Sequence, residues 1–236
     1  MLSNWCFAIG AWLLTGNLCN TPPRPQVAMA PSVPASYTDV LGAIEARRDS
    51  FNTTYQAADS SGRTVLLDSA HNYLFRQLTL EVFPRWYGTP WDFNGTTTVP
   101  GEGSIACGYF ITTTLQQVGF DLPRFKWAQL AAEPMIRKMS AGIKAFSDRS
   151  VEEVTTYLRA EGEGLYAVGL DNHVGFIVVQ GDELRFVHSN YYQREIGVMS
   201  EPLAGNNPLA HSRYRVIGQL LGRKMMERWV LGLPLA

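Results

Sequence analysis

The sequence predicts an α+β fold, with helices first and a small antiparallel sheet later. Two observations carry this. Apolar residues recur at helical spacing in the first half, as in Leu66, Leu67, Ala70, Leu74, Leu78 and Val82. From Gly164 onward, three short apolar runs are separated by turn-forming residues. The chain has 236 residues, enough for one sizeable domain with additions but short of two full ones. A formal charge of −1 offers no basic surface and points away from nucleic acid as a partner.

The chain begins with an apolar run from Trp5 to Leu14 that is too short to span a bilayer and suits the core of an export signal. Cys19 closes the stretch LTGNLC and is a candidate lipidation site, which would attach the protein to a membrane. A cleavage point after Ala30 and a buried N-terminal helix are the alternatives. Residues 1–19 are therefore read as an export signal or lipoprotein leader. Residues 20–36, with five prolines, are read as an extended tether. The expected location is the periplasm or cell envelope.

Export changes the cysteine arithmetic. Cys6 would leave with the leader, and Cys19 would leave or carry lipid, so Cys107 would be the one remaining thiol, without a disulfide partner. A lone cysteine accompanied by histidine elsewhere is a candidate nucleophile. A small buried hydrophobe is the structural alternative.

Helices are expected from Tyr37 to about Gln56 and from Arg63 to about Phe83, where Pro84 should stop the second. Residues 37–85 thus form a helical N-terminal extension, and 86–236 the domain that carries the chemistry. Trp86 to Ala106 is rich in turn formers and aromatics and reads as an ordered surface loop; its Trp91 and Phe93 could line a substrate groove. From Cys107, a stripe of Phe110, Ile111, Thr114, Leu115 and Val118 favours a helix ending at Gly119. Thr112, Thr113 and Thr114 are poor helix formers and keep a strand as the rival. Leu130 to Ile143 and Val151 to Ala160 read as helices, the second opened by a capping box of Ser150 and Glu153. Ser212 to Leu221 could add a further strand.

A turn at Gly181 and Asp182 would join strands 173–180 and 183–190, placing Val179 opposite Leu184, Gly175 opposite His188 and His173 opposite Asn190. One face then carries Gly175, Ile177, Val179, Leu184 and Phe186, with His173, His188 and Asn190 at its far end. That face is expected to meet the core and the Cys107 helix; the face bearing Glu183 and Arg185 is expected to be more exposed. Directly opposed Cβ atoms lie roughly 5 Å apart and diagonal ones roughly 7–8 Å, so His173 can reach His188 or Asn190. A thiol at a helix N-terminus, an imidazole base and a group that orients it make the constellation of covalent acyl transfer. The N–H groups of Cys107 and Gly108 could hold the oxyanion. His71 and His211 read as incidental. No metal set is legible, because the histidines are far apart and the cysteines do not cluster.

With these residues in place, the chain resembles the NlpC-like papain-fold cysteine peptidases of bacterial cell walls over roughly Trp86 to Leu203. YGTPWDFNG is similar to that family's GTPY-x-WGG loop, and ACGYFITTTLQQVGFDLPR to its DCSGFV…G-x-x-LPR helix. NHVGFIVV followed by FVHS is similar to its HVGIYIG…FIHAS pair. The resemblance implies a papain-like domain whose sheet packs on the nucleophile helix, with Cys107 as nucleophile, His173 as base and His188 as orienter. It implies hydrolysis of an amide in a peptidoglycan stem peptide, at a γ-D-glutamyl bond to a diamino acid, with a peptide or peptidoglycan fragment as partner and no cofactor. Ala106 stands where the family has aspartate, Gly108 where it has serine and Trp91 where it has tyrosine. A non-catalytic envelope-binding protein and an acyltransferase are the alternative functions on the same fold.

Overall fold

The computed structural model describes residues 36–235, which lie in one compact unit spanning Ala35–Ala236. The expected leader, the Cys6 and Cys19 positions and all but the last residue of the tether lie outside the described residues.

Helix α1 (Tyr37–Ala57) opens on a capping box made by Ser36 and Asp39. Helix α2 (Ser60–Gln77) starts three residues before the expected Arg63, because the Asp59 carboxylate accepts from the Gly62 N–H and fixes the first turn there. The chain then widens into a π-helical turn, Leu78–Val82, and continues as α3 (Phe83–Trp86). Pro84 therefore does not end the helix as expected. A proline removes one donor and crowds the carbonyl four residues back; here the preceding turn is already wider, with the Phe83 N–H bonded to the Leu78 carbonyl.

Helix α4 (Cys107–Gln117) settles the rivalry over the three threonines in favour of helix. The Thr112 hydroxyl donates to the Gly108 carbonyl at 3.0 Å, and the Thr114 hydroxyl to that of Phe110 at 2.8 Å. Thr113 accepts from the Arg124 guanidinium at 2.7 Å. Buried hydroxyls that would oppose a helix are thus satisfied within it or by a neighbour.

Two short helices follow, α5 (Arg124–Ala128) and α6 (Ala132–Met139), and then strand β1 (Ala141–Ser147). The expected helix from Leu130 to Ile143 is corrected here: it ends at Met139, and Ile143 lies in a strand. Gly142 sits at φ +60°, a conformation that interrupts a helix, and pairing with a distant strand takes over. Helix α7 (Val151–Glu161) carries the Ser150 and Glu153 capping box in full. Strands β2 (Gly164–Leu170), β3 (Val174–Gln180), β4 (Glu183–Ser189) and β5 (Val198–Pro202) lead to α8 (Pro208–His211), β6 (Tyr214–Gln219) and α9 (Arg223–Leu231).

The fold is α+β, with a six-stranded sheet in the order β1-β6-β2-β3-β4-β5 and every neighbouring pair antiparallel. Val179 faces Leu184 and Ile177 faces Phe186, the register expected from the Gly181–Asp182 turn. The N-terminal helices share a core with α4, α6, α9 and one face of the sheet, where Phe176, Val178, Val187 and Val216 pack. The other face, with Ile177, Val179, Phe186 and Ile217, packs with Val154 and Leu158 of α7.

This corrects the expected packing. Helix α4 covers the Phe176 face and not the Ile177 face: Phe176 lies 5.8 Å from Phe110 and 4.9 Å from Phe83, centroid to centroid. The face bearing Arg185 is therefore covered. Strand β3 is buried from Val174 through Val179, so both its faces are apolar and alternation does not tell them apart. Among the described residues no helix is long and apolar enough to cross a membrane.

Candidate active site

Cys107 is the first residue of α4, and Ala106 ahead of it makes no side-chain cap. The first N–H groups of a helix lack partners within it, and an uncapped start leaves them available. Burial pushes the Cys107 thiol pKa up, and the backbone N–H groups of Val174, Gly108 and Cys107 oppose the rise without cancelling it. Cys107 is a free thiol, partly exposed on a cavity wall. Gly108 has no room for a side chain, because a Cβ there would run into the Ala128 carbonyl. Close packing of α4 on α5 thus accounts for glycine where the resemblance has serine.

His173 stands just before β3 and lines the same cavity as Cys107. Its Nε2 lies 2.8 Å from His188 Nδ1, and His188 Nε2 lies 2.7 Å from Glu201 Oε1. Glu201 Oε1 also accepts from Asn190 Nδ2 at 3.4 Å. His188 therefore takes the place beside His173, and Asn190 stands beside Glu201 instead. Gly175 makes this possible: a Cβ there would come within 2.5 Å of the Phe186 ring and 2.9 Å of His188 Cβ. Phe186 stacks on His188 with ring centroids 3.9 Å apart.

Proton positions follow from the donors and acceptors. Burial pushes His188 down to about 3, so its ring holds one hydrogen near neutrality although a carboxylate lies beside it. Burial, with His188 beside it, drives His173 well below 6.5. An ionised Glu201 only accepts. His188 Nε2 must then donate to it, His188 Nδ1 accepts from His173 Nε2, and His173 Nδ1 keeps a lone pair. That Nδ1 is buried without a partner. Burial raises the Glu201 carboxyl, and Arg185 opposes the rise. A protonated Glu201 would allow the reverse order of donors, which leaves Nδ1 with a hydrogen and no basicity.

Glu201 is absent from the sequence reading. VMSEP has weak strand character, and its pairing with β4 sets His188 opposite Met199 and Phe186 opposite Glu201. Once that register is known, alternation alone puts Glu201 on the histidine face.

The cavity beside Cys107 measures about 730 Å³. Trp91 and Phe93 line it, as expected for groove residues, and so does Tyr191, which sequence reasoning did not single out. The Tyr191 ring lies 5.1 Å from His173 and 6.0 Å from Trp91. Burial and the neighbouring Tyr192 push its phenol up to about 12, so the hydroxyl stays protonated. The loop is tied down by buried Arg124, which donates to the Thr96 carbonyl at 2.7 Å. His71 bonds the Leu221 carbonyl and His211 lies by the Tyr192 hydroxyl, 3.4 Å away. Among the described residues no group of three or more His, Cys, Asp or Glu is arranged to hold a metal ion.

No protein-family model matches this chain, and no curated protein matches it either.

Proposed function

We propose that this chain is a thiol hydrolase that cleaves an amide bond through a covalent acyl-enzyme. The observation that carries the reading is the Glu201–His188–His173 row, which ends in an unpartnered nitrogen on a ring that shares its cavity with the Cys107 thiol. In this reading His173 Nδ1 takes the thiol proton as the sulfur attacks the carbonyl carbon. The same nitrogen then gives that proton to the departing amine. Water attacks the thioester, again losing a proton to His173, and the acid leaves as the thiol re-forms. The uncapped N–H groups of Cys107 and Gly108 are placed to receive charge on the carbonyl oxygen.

The resting pair is thiol and neutral imidazole, since burial raises one pKa and lowers the other. Deprotonation then accompanies attack. A helix bearing the nucleophile, packed on an antiparallel sheet whose strand begins beside the base, supports a papain-like reading, and the resemblance to NlpC-like peptidases adds export and a cell-envelope peptide as the proposed setting. A non-catalytic binding role is the second reading, favoured by the lack of a hydrogen bond between His173 Nδ1 and the thiol.

Incubation with p-nitrophenyl acetate separates the two. A burst of p-nitrophenol with an acetyl group located on Cys107 by peptide mass, lost in His173→Ala, supports the hydrolase. Absence of any acyl-enzyme leaves the binding role. Added amine that diverts the acyl group from water would identify a transferase.

A further inference from the structure

We infer that the cavity beside Cys107 selects an uncharged aromatic group next to the amide that is cut; this rests on the thiol-hydrolase reading and narrows its substrate. Among the described residues no Lys, Arg, Asp or Glu lines this cavity. Its walls are the rings of Trp91, Phe93, Tyr109 and Tyr191, joined by the amides of Asn94 and Asn172.

The nearby cations lie behind the aromatic walls and not in the lining. Arg124 donates to Thr113 and the Thr96 carbonyl and lies over Tyr109 and Phe125. Arg194 stacks over Trp91, 4.9 Å from the ring centroid, and is not part of the lining. The fixed negative groups are closer to the chemistry. Asp171 lines a smaller cavity, of about 220 Å³, that shares Cys107 and His173 with the larger one, and Glu201 stands behind His188. A carboxylate entering the larger cavity would lose water without gaining a cation, which strongly disfavours it.

The Trp91 Nε1–H is buried without a partner and sealed from solvent, so Trp91 meets a ligand through its ring. Flat rings then stack edge-on or offset against Trp91 and Tyr191. A sugar suits these walls less well, because its hydroxyls need many paired donors and acceptors, and the Gln129 amide is already bonded to the Tyr109 hydroxyl.

The test compares alkylation of Cys107 in the full chain by N-benzyliodoacetamide, N-iodoacetylglycine and N-iodoacetylglucosamine. Each rate is located by peptide mass and divided by the rate with glutathione. The benzyl probe should saturate and react at least tenfold faster than the other two. Trp91→Ala, which removes one ring from the wall, should cut that preference severalfold. An equal or faster rate with the anionic or sugar probe overturns the inference. Alkylation needs no turnover, so a missing acyl-enzyme would sink the hydrolase reading alone. If the thiol ignores all three probes, binding to Cys107→Ala, followed at the Trp91 indole N–H resonance, decides. N-acetylphenylalaninamide binding more tightly than N-acetylglycine supports the inference, and the reverse order overturns it.

Discussion

On one face of the sheet, Phe176, Val178 and Val187 pack with apolar side chains of the N-terminal helices and α4; on the other, Ile177 and Phe186 share their layer with His188 and Glu201. The first face carries the nucleophile through its helix, and the second carries the base and its supports. They meet at the start of β3, where His173 and Val174 line a cavity together with Cys107. The contrast shows how a polar row survives in a dry layer. Each contact satisfies two groups, so burial leaves one nitrogen unpaired, and that nitrogen is on the ring facing the chemistry's cavity.

The contrast breaks most completely at the junction. Cys107→Ser or His173→Ala is expected to lower the rate of acyl-enzyme formation by ~10³-fold or more, read from the p-nitrophenol burst. Comparable bursts in wild type and His173→Ala would remove the base from the account.

The next largest effects separate the faces. Phe176→Ala and Phe186→Ala should each cost about 3–5 kcal/mol in urea unfolding, because both rings are fully buried. The acylation rate of the protein that remains folded should fall in Phe186→Ala, whose ring stacks on His188, and hold in Phe176→Ala. Equal losses in both would mean that the faces are not functionally distinct.

Glu201→Gln tests the proton order. It keeps the shape and loses the charge that fixes the direction of donation, and acylation should drop roughly 10- to 100-fold with little change in unfolding midpoint. An unchanged rate would show that His188 alone sets the tautomer of His173.

The most gradual effect is a pH dependence of stability. Both histidines resist protonation when folded and accept it near pH 6.5 when unfolded. The unfolded chain therefore binds more protons below that pH, and stability falls as pH drops from 6.5 toward about 3. Each histidine contributes a slope of ~1.4 kcal/mol per pH unit at most. Glu201, whose pKa is raised, works in the opposite sense. Urea midpoints between pH 7 and 5 that do not move would contradict the burial of an uncharged pair.

Much of this site is legible in the sequence wherever a local rule applies. Turn residues Gly181 and Asp182 fix the β3–β4 register and hence put His173 within reach of both His188 and Asn190. Ser150 and Glu153 announce α7, and Gly119, at φ +100°, lies just past the end of α4. What escaped were features that depend on distant partners. Ile143 lies in a strand because Ala141 and Lys144 on either side of it pair with β6, and Glu201 joins the row because β5 pairs with β4. Helix α9, which places Trp229 against Phe51, was not anticipated.

By itself the sequence determined the hairpin register and brought His173, His188 and Asn190 to one end of one face, and it favoured a helix from Cys107, since these follow from turn chemistry and periodicity. Tertiary structure alone decided which face α4 covers, that His188 and not Asn190 stands beside His173, that a carboxylate from β5 closes the row, and that the larger cavity beside the thiol is lined, among the described residues, by no Lys, Arg, Asp or Glu. Those outcomes depend on contacts between segments far apart in the chain, where burial and pairing energy, and no local preference, select the partner.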